Sequence, residues 1–138
     1  MHVLMVCTGN TCRSPMAAAL LRRQWQRRGI VGEVESAGLA AGGEPASSGA
    51  VAALAEWDID LSAHRSRPVT REMLDRADLV VTMSHRHRDQ LERLGVSPDR
   101  ICVLAAETGG IADPYGGDLA VYRRVRDQLE RELAKLPI

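Results

Sequence analysis

Cys7 and Arg13 stand six positions apart in the run Cys7-Thr8-Gly9-Asn10-Thr11-Cys12-Arg13-Ser14, which lies between an apolar stretch and the pair Ser14-Pro15. His2-Val3-Leu4-Met5-Val6 has the pattern of a buried strand, and Ser14-Pro15 couples a favoured N-cap with a proline at the first helical position. A short loop that carries the chain from a strand into a helix N-terminus gathers several backbone N–H groups into one concavity. The helix dipole adds positive potential there, so the loop is built to hold an oxyanion. Cys7 at its floor would have its thiolate stabilised by those N–H groups and by the Ser14 hydroxyl, which makes it a nucleophile at neutral pH. Arg13 closes the loop with a planar fork of donors suited to two oxygens of a tetrahedral phosphate, and to the equatorial oxygens of a phosphoryl group in transfer.

The rest of the chain must place that loop. Strands are predicted at His2–Val6, Glu33–Ala37, Asp78–Met83 and Ile101–Ala105, and helices at Pro15–Arg28, Ser47–Trp57, Thr70–Arg76, Ser84–Leu94 and Asp118–Leu136. Such alternation implies an α/β fold: one domain over residues 1–138, with an open parallel four-stranded sheet and helices on both faces. Gly29 and Gly95 fall where helix C-caps want positive φ. Leu119, Tyr122, Val125, Leu129, Leu133 and Leu136 form one apolar stripe on the last helix. The Gly- and Ala-rich stretch Gly38–Gly49 reads as a loop. Ligands of open parallel sheets bind beyond the carboxyl ends of the strands, where Cys7 lies and where Glu107–Gly117 also emerges. Taken alone, Asp113-Pro114 in that segment reads as a turn. His85 and His87 sit in a charged turn and read as a solvated face, and Cys102, inside a strand, reads as packing.

Composition excludes several classes. With 18 basic against 18 acidic residues in 138, nothing points to nucleic acid or a membrane surface as partner. No apolar stretch is long enough to span a bilayer, and Met1-His2 opens directly into a strand, so a cytoplasmic protein is expected. Three cysteines, an odd number without zinc-site spacing, argue against a disulfide framework and against a structural metal. No metal or other cofactor is expected, because Cys7, Arg13 and the loop N–H groups supply the electrostatics themselves.

Val6-Cys7-Thr8-Gly9-Asn10-Thr11-Cys12-Arg13-Ser14-Pro15-Met16-Ala17 resembles the phosphate-binding loop of the low-molecular-weight protein tyrosine phosphatases, and Asp113-Pro114-Tyr115-Gly116-Gly117 resembles that family's general-acid loop. Their order and placement match the family across the whole chain. The resemblance implies a phosphoprotein phosphatase with a cysteinyl-phosphate intermediate, in which Cys7 attacks, Arg13 holds the phosphoryl group and Asp113 protonates the leaving group. It further implies that Thr8, Gly9, Asn10, Thr11, Cys12 and Ser14 cradle the substrate with Tyr115 as a wall, and that Asn10, Ser36 and His64 hold the loop in shape. Tyrosine-specific members carry a larger aliphatic residue where this chain has Thr11, and often a second tyrosine where it has Gly116. Threonine there, with Asp-Pro-aromatic-Gly-Gly, is similar to the bacterial protein-arginine phosphatases, so phosphoarginine proteins are the favoured substrates and phosphotyrosine proteins the alternative. Cys12 beside Cys7 suggests a redox-sensitive enzyme, since an oxidised Cys7 could be captured as a disulfide. Arsenate reductases of similar fold need two further thiols near the third strand and the helix after it. Met83–Gly95 contains none, and a silent phospho-residue binder would be expected to lose Cys7, Arg13 or Asp113.

Overall fold

The computed structural model describes residues 1–138. It has strands β1 (His2–Cys7), β2 (Glu33–Gly38), β3 (Leu79–Thr82) and β4 (Ile101–Val103), with helices α1 (Arg13–Arg28), α2 (Ser48–Ala55), α3 (Arg71–Arg76), α4 (His85–Arg93) and α5 (Leu119–Leu133) between and after them. The sheet order is β2-β1-β3-β4 and every pairing is parallel. β1 is thus an inner strand, paired with β2 from His2↔Glu33 to Cys7↔Gly38 and with β3 from Val3↔Leu79 to Val6↔Thr82.

Every residue of β1 is buried, and its side chains alternate between two core layers. Val3, Met5 and Cys7 face α1 and α5, packing with Met16, Leu20, Leu129 and Leu133, whereas Leu4 and Val6 join Val80, Met73, Leu74 and Leu91 beneath α3 and α4. Burying each large aliphatic side chain contributes roughly 1.5–3 kcal/mol, so both faces hold the strand that ends in Cys7. At its other end the His2 backbone N–H donates to Asp78 Oδ2 at 2.7 Å, and the His2 ring meets Glu35 at 2.6 Å. Arg76 and Arg67 also donate to Glu35. Burial raises that carboxyl, but the bonds from Arg76 and His2 and the charges of Arg67 and Arg76 hold it down at about 2.

Four helices begin at side-chain caps: Ser47, Thr70, Ser84 and Asp118 accept from Ala50, Met73, His87 and Val121 N–H respectively. α1 departs from expectation. It starts at Arg13, with Cys12 at the N-cap position and no side-chain cap, so Ser14 is already helical and Pro15 is the third residue of the first turn. Proline costs nothing there, because the first-turn N–H groups lack intrahelical acceptors anyway. β4 stops at Val103, since Ala105 takes a left-handed conformation at φ 53°. α5 ends at Leu133, three residues short of Leu136, which is nevertheless buried against the core.

Candidate active site

Cys7 is the last residue of β1, and residues 8–12 turn above the carboxyl edge of the sheet into α1. The turn requires Asn10 to adopt φ 56°, a conformation asparagine tolerates better than most residues. The loop passes so close to β2 that a Cβ on Gly38 would lie 2.6 Å from Thr8 O and 3.0 Å from the Asn10 Cβ. A side chain at Gly38 would therefore push the loop off the strand ends.

Asn10 is fully buried and acts as the hub of this loop. Its Oδ1 accepts from Arg67 N–H, which can only donate, and this fixes the amide orientation. Its Nδ2 then donates to Ser14 Oγ at 2.7 Å and to Ser36 Oγ at 3.0 Å. The Asn10 carbonyl accepts from His64 Nε2 at 2.8 Å. Because Ser14 Oγ already accepts from Asn10, its own hydrogen is available to Cys7 Sγ, 2.9 Å away. Ser14 thus meets the Cys7 sulfur rather than capping the helix end, which explains why the expected N-cap is absent.

Arg13 is buried at the first turn of α1, where its Nη1 donates to the Ile111 carbonyl at 2.9 Å and its Nη2 lies 3.8 Å from Asp113 Oδ2. The guanidinium is thereby anchored from the back of the segment that carries Asp113. That segment is seated by Ile111 N–H on Met83 O at 2.8 Å. A Cβ on Gly110 would lie 2.5 Å from the same Met83 carbonyl, so glycine is needed for this approach. The Asp113 side chain is 58 % exposed, and its Oδ1 accepts from Tyr115 N–H in a local turn. Tyr115 is 75 % exposed.

These groups converge on one cavity of about 750 Å³, lined by Cys7 through Arg13, by Glu44 to Ser48, and by Asp113 and Tyr115. Of the residues expected at a site, Cys7, Thr8, Gly9, Asn10, Thr11, Cys12, Arg13, Asp113 and Tyr115 line the cavity, while Ser14, Ser36 and His64 lie behind the loop in contact with Asn10. Cys12 is buried at the start of α1, with Sγ 3.2 Å from Ser47 Oγ and 3.4 Å from Tyr122 Oη. Burial, together with the bond to Cys12, pushes the Tyr122 hydroxyl up to about 12. All three cysteines are free; Cys102 is half-buried in β4, where burial pushes its thiol up. No group of three or more His, Cys, Asp and Glu side chains converges as metal ligands would, and no helix is long and apolar enough to cross a membrane.

One reading of the sequence is corrected here. His85 is exposed, as a solvated face requires, but His87 is 3 % exposed with its Nε2 at 2.9 Å from Thr8 Oγ1. The two residues are two positions apart on α4 and so point to different sides, and only His87 turns inward. Sequence reasoning also passed over Arg67, Ser66 and Tyr122. Ser66 Oγ accepts from the N–H groups of Gly43 and Glu44, which fixes the segment leading into the Glu44–Ser48 part of the cavity lining. No local pattern announces these contacts, because each joins segments far apart in sequence.

An arrangement of this kind can perform in-line displacement at a tetrahedral centre. The sulfur has a donor, and Arg13 and the Asp113 carboxyl, 3.8 Å apart, line the same cavity as the loop. Comparison with known proteins agrees. Residues 2–137 match the family model described as low molecular weight phosphotyrosine protein phosphatase. A protein-arginine-phosphatase of Geobacillus stearothermophilus is 45 % identical over 98 % of this chain and 93 % of its own, and one of Bacillus subtilis is 41 % identical over 98 % and 95 %. Among solved structures, a serine-for-cysteine mutant of the YwlE arginine phosphatase, carrying a phosphorylated active-site serine, superposes with a TM-score of 0.90. It is 39 % identical over 96 % of this chain and 91 % of its own.

Proposed function

This chain belongs to the low molecular weight phosphotyrosine protein phosphatase family, and we propose that it removes phosphoryl groups from phosphoarginine in proteins through a cysteinyl-phosphate intermediate. It is a cysteine-dependent protein phosphatase. The observation that carries the reading is the meeting of Cys7, Arg13 and Asp113 on a single cavity.

In the first step the Cys7 thiolate attacks phosphorus in line with the P–N bond of the substrate. The S–P bond forms as the P–N bond breaks, the bonding pair stays on nitrogen, and Asp113 gives that nitrogen its proton, so that arginine departs as guanidinium and Asp113 is left as the carboxylate. In the second step water attacks the cysteinyl phosphate; Asp113 takes a proton from it, the S–P bond breaks, and phosphate leaves with the thiolate restored. General acid–base assistance of this type is worth about 10² to 10⁴ in rate. Throughout, Arg13 and the N–H groups of Thr8 to Ser14 hold the equatorial oxygens, with Arg13 anchored by its bond to Ile111 O.

Phosphoarginine is preferred over phosphotyrosine for a reason of chemistry at the cavity mouth. Thr11 presents a hydroxyl where a phenyl ring would need a dry aliphatic wall, Gly116 leaves the acid loop without a second aromatic, and the Asp113 carboxyl can hydrogen-bond the guanidino group and, once ionised, pair with the departing guanidinium. Phosphoarginine, phosphotyrosine and phosphoserine peptides assayed side by side test this. Arginine dephosphorylation should lead in kcat/KM, and Thr11→Ile should move the ratio toward phosphotyrosine; an unchanged ratio overturns the preference. Cys12 gives the enzyme sensitivity to peroxide that thiol reverses, because a sulfenic acid at Cys7 can condense with it. Peroxide-treated Cys12→Ser should recover less activity with thiol than the parent does. Three free thiols support action in the reducing cytoplasm.

A further inference from the structure

Helix α4 brings to the anion loop a side chain that the displacement chemistry leaves unused. The His87 ring is buried, its Nε2 lies 2.9 Å from Thr8 Oγ1, and its Nδ1 is buried with no partner. The ring's place is set by its own helix, since His87 N–H donates to the Ser84 cap at 3.2 Å. Three charged groups face it: Arg13 from α1, Arg86 from α4 and Asp113 from the acid loop. Burial foremost, then the two arginines, hold the imidazole down at about 4 against the opposing pull of Asp113, so the ring is neutral at physiological pH.

A neutral imidazole has one N–H, and its position matters. With the hydrogen on Nδ1, a buried donor would lack any acceptor, which proteins rarely tolerate; a bare lone pair is the lesser cost. The hydrogen therefore sits on Nε2 and is donated to Thr8 Oγ1. A hydroxyl that accepts from His87 keeps its own hydrogen for something else, and Thr8 lines the cavity.

We propose that His87 is a positioning residue that turns Thr8 into an additional donor to the bound phosphoryl group, through the relay His87 Nε2–H to Thr8 Oγ1 and Thr8 O–H to a phosphate oxygen. It rests on the reading of this cavity as a phosphoryl site. Without the imidazole the hydroxyl is free to rotate and to spend its hydrogen elsewhere, and the anion loses one of its donors.

The test is the inhibition constant of inorganic phosphate against hydrolysis of an aryl phosphate, measured with the melting temperature of each variant. Thr8→Val should weaken phosphate binding by about tenfold, the scale of a hydrogen bond to a charged group, while Thr8→Ser should match the parent. His87→Leu should weaken it several-fold, and His87→Gln, whose amide nitrogen reaches the same oxygen, should restore it. Because the two residues act in series, the double variant Thr8→Val with His87→Leu should be no worse than Thr8→Val alone. Should His87→Leu fail to fold, the Thr8→Val and His87→Gln arms still decide. Parental phosphate binding by Thr8→Val, a double variant whose losses multiply, or a Gln variant as impaired as Leu each overturns the relay while leaving the phosphatase reading intact. A parent that binds no phosphate overturns both.

Discussion

The two halves of the cavity are built differently. On the nucleophile side Cys7, Asn10, Cys12, Arg13 and Ser14 are all buried, and the loop is tied by the side chains of Ser36 on β2, His87 on α4 and His64, and by the Arg67 backbone N–H. On the acid side Ala112, Asp113 and Tyr115 to Gly117 are exposed, and the loop is tied to the body mainly at its root, by Ile111 to Met83 and to Arg13. Under the proposed mechanism the difference follows from what each half must do. A nucleophile and its oxyanion donors work best when fixed before substrate arrives, since no reorganisation is then needed at the moment of reaction. An acid that serves a bulky leaving group must leave room for it to enter and depart.

Cys7→Ser should break the contrast most completely. It should lower kcat by roughly 10⁴-fold or more and abolish the burst of product from an aryl phosphate, with the melting temperature near the parent's. Asp113→Asn tests the acid half alone. With phosphoarginine peptides, whose nitrogen leaving group needs a proton, kcat should fall by about 10² to 10⁴; with p-nitrophenyl phosphate, whose leaving group is already a good one, the loss should be much smaller. Stability should stay within about 0.5 kcal/mol, because the side chain is exposed. Asn10→Ala reverses that pattern. It strands Ser14, Ser36 and the Arg67 N–H at once, so denaturant unfolding should show a loss of about 1–3 kcal/mol and activity should fall with every substrate alike.

The smallest effect lies at the far end of β1. Glu35 is held at about 2 in the folded protein, below the unfolded value, so its contribution is complete above the ordinary carboxylate range and is lost as pH falls toward 2. Glu35→Gln should therefore cost about 1 kcal/mol or less at neutral pH, and the difference from the parent should vanish as unfolding is followed into acid.

Much of the nucleophile half was legible in the sequence, because it is local. A strand, a tight loop and a helix start fall within fifteen consecutive residues, and the periodicities of 2 and 3.6 on either side mark them. The four capped helix starts were legible for the same reason. Ser14 was misread as a cap because its preference for helix ends is a statement about isolated helices, and here a buried Asn10 and a sulfur compete for the same hydroxyl. His87 was misread because its neighbours Arg86 and Arg88 are charged, and composition says nothing about which side of a three-turn helix meets a loop 79 residues away. The pairing of Cys12 with Tyr122 was out of reach on the same ground: it joins α1 to α5 across 110 positions.

The inner place of β1 carries a consequence for biosynthesis. During translation this strand leaves the ribosome before both of its neighbours, and the guanidinium at its loop waits for a carbonyl 98 positions downstream. Long-range pairings of this kind close late, so a partly made chain carries a bare, oxidisable sulfhydryl with no chemistry to perform until its partners downstream have been made.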